Sequence, residues 1–128
     1  MRHLILGSSG QIGAHLVNYL RNQGEEVFEF DIQNEKWQDL RISENGPLST
    51  LLHYSDVVYF LAFDVGGAKY LEKHQDTYPF IFNNMSLMVH TFQAIKAHEK
   101  PFIFASSQMA EMGHSSYGML KSLGEKIT

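Results

Sequence analysis

Apolar residues along the chain follow two patterns that alternate, short continuous runs and longer stretches with helical spacing. Continuous apolar runs are typical of buried strands, whereas apolar positions three and four residues apart are typical of amphipathic helices. The runs predict strands over residues 2–7, 26–31, 56–62 and 101–106. The spacing predicts helices over residues 11–23, 44–53, 77–98 and 115–128. The chain therefore alternates between strand and helix.

This alternation, with strands that are apolar on both faces, indicates a parallel sheet with helices on both sides. We predict an α/β fold, a Rossmann-like doubly wound parallel sheet formed by residues 1–128 as one domain. Four strands of this fold class are expected in the order 3-2-1-4. The length of 128 residues is enough for one domain with a hydrophobic core but not for two domains.

A glycine-rich loop, GSSGQIG, joins the first predicted strand to the first predicted helix. Its glycines allow a tight turn, let a pyrophosphate approach the backbone, and let the helix pack closely on the strand. The helix N-terminus then offers unpaired N–H groups and the positive end of its dipole. The loop therefore predicts a dinucleotide site that includes Gly7, Ser9, Gly10, Gln11, Ile12 and Gly13.

An acidic residue, Asp31, closes the second predicted strand, 18 residues after Gly13. A carboxylate at this position accepts hydrogen bonds from the adenosine ribose hydroxyls and repels a 2′-phosphate. The next residues are Ile32 and Gln33, so no arginine stands beside Asp31 to hold a phosphate. We therefore expect NAD rather than NADP.

Three side chains with catalytic chemistry follow the fourth predicted strand. Ser107 lies at its carboxyl end, where ligands bind in parallel sheets, and would donate a hydrogen bond to a substrate oxygen. Tyr117 and Lys121 are four residues apart and share one face of the last predicted helix. Because an ammonium near a phenol stabilises the phenolate, Tyr117 would act as a general base or acid. A tyrosine–lysine pair is common on helix surfaces, so this prediction depends on the glycine loop and Asp31.

Composition excludes several other classes of protein. The net charge of −4, with no basic stripe, argues against nucleic-acid binding. The absence of cysteine excludes disulfides and thiolate metal sites, and the seven histidines have no metal-like spacing, so no metal is predicted. The apolar run Leu4–Leu6 is too short for a signal peptide, and no run has the length of a membrane helix. We therefore expect a cytoplasmic protein without membrane association.

Together these motifs resemble the extended short-chain dehydrogenase/reductase family, the NAD-dependent nucleotide-sugar epimerases and dehydratases. The matching segments are GSSGQIGAHL, DL at 39–40, DVVYFLAF, FNNMS and FASS with SYGMLK. The resemblance implies an NAD(P)-binding domain and a catalytic triad of Ser107, Tyr117 and Lys121, with Tyr117 as the base while hydride passes to NAD. It also implies cofactor contacts at the glycine loop and at Asp31, Ile32, Asp39, Leu40, Leu61, Ala62, Phe63, Asn84, Ala105, Tyr117 and Lys121.

The loop after the third predicted strand resembles that of GDP-mannose 3,5-epimerases and, less closely, GDP-L-fucose synthases. In those enzymes the Gly-Gly pair, here Gly66–Gly67, borders the hexose. The resemblance thus implies that Gly66, Gly67 and Ser107 face a nucleotide sugar. Met109 stands where epimerases of that type carry a cysteine, which argues against 3,5-epimerisation. The family also continues past the tyrosine helix into a substrate-binding part that is absent from this sequence.

Two functions therefore remain open. The first is the NAD-binding domain of a nucleotide-sugar epimerase/dehydratase-like protein, and the second is a non-catalytic NAD-binding or protein-interaction module, including a truncated or fragmentary one. A homodimer is also expected, because the family often pairs its long helix and its tyrosine helix in a four-helix interface. The helix over residues 77–98 carries more apolar side chains than one sheet face needs: Phe80, Phe82, Leu87, Val89, Phe92 and Ile95.

Overall fold

The computed structural model describes residues 1–128 and contains one four-stranded sheet flanked by helices. The strands are β1 (Arg2–Leu6), β2 (Glu26–Phe30), β3 (Val57–Phe60) and β4 (Phe102–Phe104). The α-helices are α1 (Gln11–Asn22), α2 (Gly46–Tyr54), α3 (Ala68–His74), α4 (Tyr78–Ala97) and α5 (Ser116–Ile127), and a 3₁₀ helix spans Gln108–Glu111. None of these helices combines the length and apolar character needed to cross a membrane.

All neighbouring strands are parallel and lie in the order β2-β1-β3-β4. The expected order 3-2-1-4 is therefore wrong, although the doubly wound parallel sheet is confirmed. Residues 31–45 form turns rather than a strand, and the Asp31 and Asp39 carboxylates bond backbone N–H groups two residues further along. No strand lies outside β2, because the crossover through α2 carries the chain back past β2 and β3 pairs with β1.

The chain reverses direction across the sheet at β1. From β1 it moves to β2 on one side, and from β2 it returns through α2 to β3 on the other side. Because such crossovers are right-handed, a reversal places successive helices on opposite faces. The connections that leave the carboxyl ends of β1 and β3 then run to opposite faces of the sheet, and ligands bind in the crevice formed at this point.

Two cores hold the helices to the sheet. Ile5 faces α1 and packs with Val17 and Leu20, whereas Leu4 and Leu6 face the larger core on the other side. The larger core is built around aromatic rings, with the Phe60, Phe92 and Phe104 centroids 5.3–5.6 Å apart. Successive residues of β1 point into opposite cores, so both of its faces are covered. The strand is therefore apolar at every position and shows no alternation of apolar and polar residues.

The predicted strands and helices are confirmed, with ends that shift by no more than two residues. Two elements were not predicted, α3 and the 3₁₀ helix. No residue of α3 is buried, so its sequence has no apolar stripe from which a helix could be recognised. The 3₁₀ helix is a single turn whose start is capped by the Ser107 hydroxyl, which accepts the Met109 N–H.

The first turn of α1 lies directly against the glycine loop. A Cβ added at Gly13 would stand 2.1 Å from the Gly7 carbonyl oxygen, closer than any real contact. Gly7 itself has a φ of 91°, and a Cβ there would stand 2.7 Å from the Ala62 nitrogen. Glycine at these two positions therefore brings β1, α1 and the end of β3 together.

We expect Gly13→Ala to lower the free energy of unfolding by more than about 2 kcal/mol, because a backbone carbonyl cannot move aside as a side chain can. Gly113→Ala is the matched control, since a Cβ there meets nothing within 4 Å and the backbone has no positive φ. That variant should be neutral or more stable by up to about 1 kcal/mol, because alanine lowers the entropy of the unfolded chain. Urea denaturation measures both, and equal stabilities would contradict the close contact at Gly13.

Candidate active site

A groove of about 450 Å³ opens at the carboxyl ends of β1, β2 and β3. Its walls come from the glycine loop, the turns after β2 and the segment that follows β3. Ten of the predicted cofactor residues line it: Gly7, Ser9, Gly10, Asp31, Ile32, Asp39, Leu40, Leu61, Ala62 and Phe63. The structure therefore brings most of that predicted set to one cavity at the point where the sheet order reverses.

The glycine loop presents an uncapped helix end to this groove. Gly7 N–H donates to the Phe30 carbonyl at 2.9 Å, and Gly10 N–H donates to the Gly7 carbonyl at 3.2 Å, which fixes the turn. Gly10 is the N-cap of α1 and has no side chain to bond the first turn, whose N–H groups at residues 11–13 have no hydrogen-bond partner in the chain. These free donors and the positive dipole end fit an anionic group such as a pyrophosphate.

Asp31 is held by the backbone around it. Ser9 N–H donates to its Oδ2 at 3.0 Å, Gln33 N–H donates to its Oδ1 at 2.8 Å, and its own N–H donates to Gln38 Oε1 at 2.9 Å. An ionised carboxylate accepts about four hydrogen bonds. Each oxygen of Asp31 thus keeps acceptor capacity for a ribose hydroxyl.

Asn34 was not predicted as a site residue, and it ties the glycine loop to the turn after β2. Its Oδ1 accepts the Ser9 hydroxyl at 2.8 Å, and its Nδ2 donates to the Ser8 hydroxyl at 3.3 Å. A polar residue in a strand-end turn is common, so nothing in the sequence separated Asn34 from its neighbours. Its contacts fix the two serines against the wall that carries Asp31.

Arg41 was also not predicted as a site residue, and it is the only cationic side chain that lines the groove. Its Nη2 donates to Asp39 Oδ2 at 2.7 Å and its Nε donates to Asp39 Oδ1 at 2.9 Å. The hydrogen bond from Arg41 lowers the pKa of the Asp39 carboxyl, although burial opposes it, and the pair keeps Asp39 ionised. Because Asp31, Asp39 and Asp64 all line the groove with this single guanidinium, the carboxylates outnumber the cation.

The segment after β3 is anchored to α4 by two asparagines. Asn84 is fully buried, and its amide bonds both backbone groups of Asp64, accepting the N–H at 2.7 Å and donating to the carbonyl at 2.9 Å. Asn83 donates to Asp64 Oδ2 at 3.1 Å and accepts from Arg41 Nη1 at 3.3 Å. Asn84 therefore positions this segment, and its predicted contact with a cofactor stays a prediction.

The predicted triad lies at the carboxyl end of β4 and on the first turns of α5. Ser107 accepts the Met109 N–H at 3.2 Å and keeps its hydroxyl proton free to donate. Tyr117 is half-buried, its N–H donates to Gln75 Oε1 at 3.4 Å, and its ring meets that of Phe63 edge to face at 5.6 Å. Gln75, which the sequence did not single out, is thus the link between the end of α3 and the start of α5.

Lys121 is buried beside Tyr117. Its ammonium donates to the Ala105 carbonyl at 2.6 Å and lies 4.0 Å from the centre of the Phe63 ring and 4.8 Å from that of Phe104. The centre of the Tyr117 ring is 5.8 Å away. Burial lowers the pKa of Lys121 from 10.5 to about 8, so the ammonium stays mostly protonated at neutral pH but loses its proton at a lower pH than an ordinary lysine.

The predicted substrate glycines lie on the exposed approach to α3. A Cβ at Gly66 would stand 2.7 Å from the Tyr70 side chain, and Gly67 is the N-cap of α3. The far end of α3 is joined to α5, because the Ser115 hydroxyl donates to Gln75 Oε1 at 2.7 Å. The substrate role of Gly66 and Gly67 stays a prediction.

Several solved structures of larger proteins contain the same fold. A superfamily member from Agrobacterium tumefaciens with bound NAD is 23% identical, with 99% of this chain covering 44% of that one at a TM-score of 0.76. UDP-glucose 4-epimerase from Thermus thermophilus in complex with NAD is 20% identical, with 98% covering 49% at a TM-score of 0.75. A GDP-D-glycero-L-gluco-heptose synthase from Campylobacter jejuni, crystallised in the presence of NADPH, is 19% identical, with 98% covering 42% at a TM-score of 0.77.

At these identities the likeness concerns the fold, and the chain spans less than half the length of these three relatives. A search of curated proteins gave no significant match. The model of the NAD-dependent epimerase/dehydratase family matches residues 3–125, which confirms the resemblance carried by the motifs. Because that match takes in nearly the whole chain, the protein belongs to the NAD-dependent epimerase/dehydratase family.

Proposed function

We propose that residues 1–128 form the NAD-binding domain of a nucleotide-sugar epimerase/dehydratase-like protein in which Tyr117 is the general base. The observation that carries the proposal is the groove, where an uncapped helix end and the Asp31 carboxylate face the same cavity. Of the three solved structures compared above, two contain NAD and one was crystallised in the presence of NADPH, so the groove decides between the two cofactors. The proposal includes a nucleotide sugar as the substrate and catalytic turnover by the whole protein.

The proposal places a dinucleotide along the groove. The free N–H groups at the start of α1 would hold the pyrophosphate, and Asp31 would accept from the adenosine ribose. Ile32 and Leu40 would border the adenine beside Asp39, while Leu61 and Ala62 would run along the second half of the cofactor. The excess of carboxylates over Arg41 disfavours a 2′-phosphate and so supports NAD over NADP.

The chemistry needs one proton and one hydride to leave a sugar carbinol. NAD, when bound, would supply the hydride acceptor. Tyr117 would remove the hydroxyl proton, so that the O–H bond breaks as the carbon–oxygen double bond forms. Ser107 would donate its free hydroxyl proton in a hydrogen bond to the same substrate oxygen, and the Lys121 ammonium would stabilise the Tyr117 phenolate. The same groups run the step backwards when the keto sugar is reduced.

A second candidate function is a non-catalytic NAD-binding or protein-interaction module. The observation that favours it is Lys121, whose ammonium bonds the Ala105 carbonyl and is covered by Phe63 rather than directed into the groove. Such a module needs the glycine loop and Asp31 but not the triad. Formation of NADH or of an epimer from nucleotide sugars would separate an enzyme from this module.

We also propose a homodimer through α4 and α5. Phe82, Met85 and Val89 form an exposed stripe on α4, since they are three and four residues apart. Met119, Leu123 and Ile127 form a second exposed stripe on α5. A shallow, mainly apolar groove lined by Met85, Met119 and Leu123 joins the two stripes, so a second copy would cover one continuous surface.

Calorimetric titration of NAD into the chain should show one site, and Asp31→Ala should weaken NAD binding by about tenfold or more. The reason is the loss of hydrogen bonds to a charged acceptor, worth about 1.5–3 kcal/mol. Affinity for NADP should approach that for NAD, because the repulsion of the 2′-phosphate is removed. Asp56→Ala is the matched control, since Asp56 bonds Arg2 at the opposite end of the sheet. Absence of NAD binding by the wild-type chain would overturn both candidate functions.

Lys121→Met should raise the stability of the ligand-free protein at pH 7 by about 1–3 kcal/mol, because the variant keeps the volume and removes a buried charge. The pKa of Lys121 is about 8 when folded, below its ordinary 10.5. The folded state thus binds fewer protons between these values, and wild-type stability should rise with pH across that window. Urea denaturation at pH 7 and pH 10 measures the difference, which should shrink at the higher pH. A constant difference would count against burial of the charge.

Analytical ultracentrifugation should find a dimer of the chain, and Leu123→Glu should give a monomer, because the carboxylate would be buried in the proposed interface. Ile103→Glu is the control for a surface charge, since Ile103 is about equally exposed but lies on β4. A strictly monomeric wild-type mass would refute the interface.

A further inference from the structure

The cover over the Lys121 ammonium is the side chain of Phe63. Phe63 lines the groove, and the face of its ring lies 4.0 Å from Lys121 Nζ. Its edge-to-face contact with Tyr117 at 5.6 Å continues the cover over the other predicted catalytic side chain. Phe63 therefore stands between the groove and Lys121, for which the family resemblance implies a cofactor contact.

The cover by Phe63 limits which acceptors the N–H donors of Lys121 can bond. An ammonium has three N–H donors. One donates to the Ala105 carbonyl at 2.6 Å, the rings of Phe63 and Phe104 lie around the others, and the residue is only 4% exposed. In this arrangement Lys121 is not among the residues that line the groove.

We propose that Phe63 is a positioning residue that holds the Lys121 ammonium on the Ala105 carbonyl, and that the second ribose of a bound dinucleotide gains Lys121 only when the Phe63 ring turns away. This inference rests on the proposed function, since it assumes that a dinucleotide occupies the groove. The adenine half alone leaves the cover in place. When the full dinucleotide binds, the Phe63 ring turns away and Lys121 forms a hydrogen bond to the second ribose.

Phe63 is the ring that moves, because its neighbour over the ammonium is fixed. Phe104 packs against Phe60 and Phe92 in the core, and the α5 backbone at Gly124 lies on it so closely that a Cβ there would stand 2.3 Å from its ring. Phe63 is half-buried at the margin of the core, and its one ring-to-ring contact is with Tyr117.

The backbone on either side of Phe63 is held, so its side chain can turn without moving the segment. Leu61 N–H donates to the Leu6 carbonyl at 2.9 Å, and both backbone groups of Asp64 bond the Asn84 amide. A rotation about the side-chain bonds of Phe63 then opens the route from Lys121 to the groove.

Titration of Lys121 gives a readout of the cover that requires no ligand. The groups packed around the ammonium are Phe63, Phe104, the Ala105 carbonyl and Tyr117, of which only Tyr117 titrates. Burial alone accounts for the lowered pKa of Lys121, and no charged side chain contributes. Removing the cover should therefore move the titration midpoint toward the ordinary lysine value.

The experiment is NMR on the full chain with ¹³C-labelled lysine. In the free protein and with saturating ADP, which lacks the second ribose, nuclear Overhauser contacts should join the Lys121 ε-methylene to the Phe63 ring. Saturating NAD should abolish them. Phe63→Ala should raise the Lys121 titration midpoint from about 8 toward 10.5 and raise the affinity for NAD relative to ADP by about threefold or more.

Val65→Ala is the matched control, because it truncates another groove-lining apolar side chain of the same segment. It should leave the Lys121 midpoint and the Phe63 contacts unchanged. Phe63→Leu keeps apolar bulk and should give an intermediate midpoint, which preserves the test if the alanine variant does not fold. Unchanged midpoints in the Phe63 variants, or Phe63 contacts that persist with NAD bound, would overturn the inference alone. Failure of both ADP and NAD to bind would overturn the proposed function and, with it, the exchange at Phe63.

Discussion

The contact between Gly13 and the Gly7 carbonyl is the constraint on which the rest of the site depends. Without a Cβ on Gly13, the first turn of α1 can lie on the turn that leaves β1, and its free N–H groups then reach the groove. Since β1 lies between β2 and β3, the same turn stands beside Asp31 on one side and Ala62 on the other. One close backbone contact thus sets the spacing between the parts that would hold the two halves of a dinucleotide.

Around this contact the groove is assembled by polar side chains that bond backbone or one another across long sequence separations. Asn34 fixes the glycine loop, Asn84 fixes the segment after β3, and Gln75 joins α3 to α5. Asn84 is fully buried, so an unmade hydrogen bond there would be costly, whereas Asn34 is exposed and Gln75 is half-buried. The hydrophobic cores position the sheet and helices, whereas these amides place the loops to within hydrogen-bonding distance of one another.

Much of the fold was predictable because its signals are local. Apolar runs and helical spacing located the four strands and four of the helices closely, and the glycine loop and Asp31 lie in one groove as expected. The strand order was not predictable, since it depends on which side of β1 the crossover through α2 returns to, and no local pattern of apolar residues encodes that. Arg41 and Phe63 act through partners that only the tertiary structure brings near, Asp39 in one case and Lys121 in the other.

The Asn84 amide has a consequence for how this site can diverge. It recognises the N–H and the carbonyl of Asp64, and neither group depends on which side chain position 64 carries. The path of the segment after β3 is therefore insulated from the side chains displayed along it. Substitutions at positions 63 and 65 can change the size, polarity or charge of that wall while the backbone keeps its course, so new ligand preferences can arise there without rebuilding the sheet.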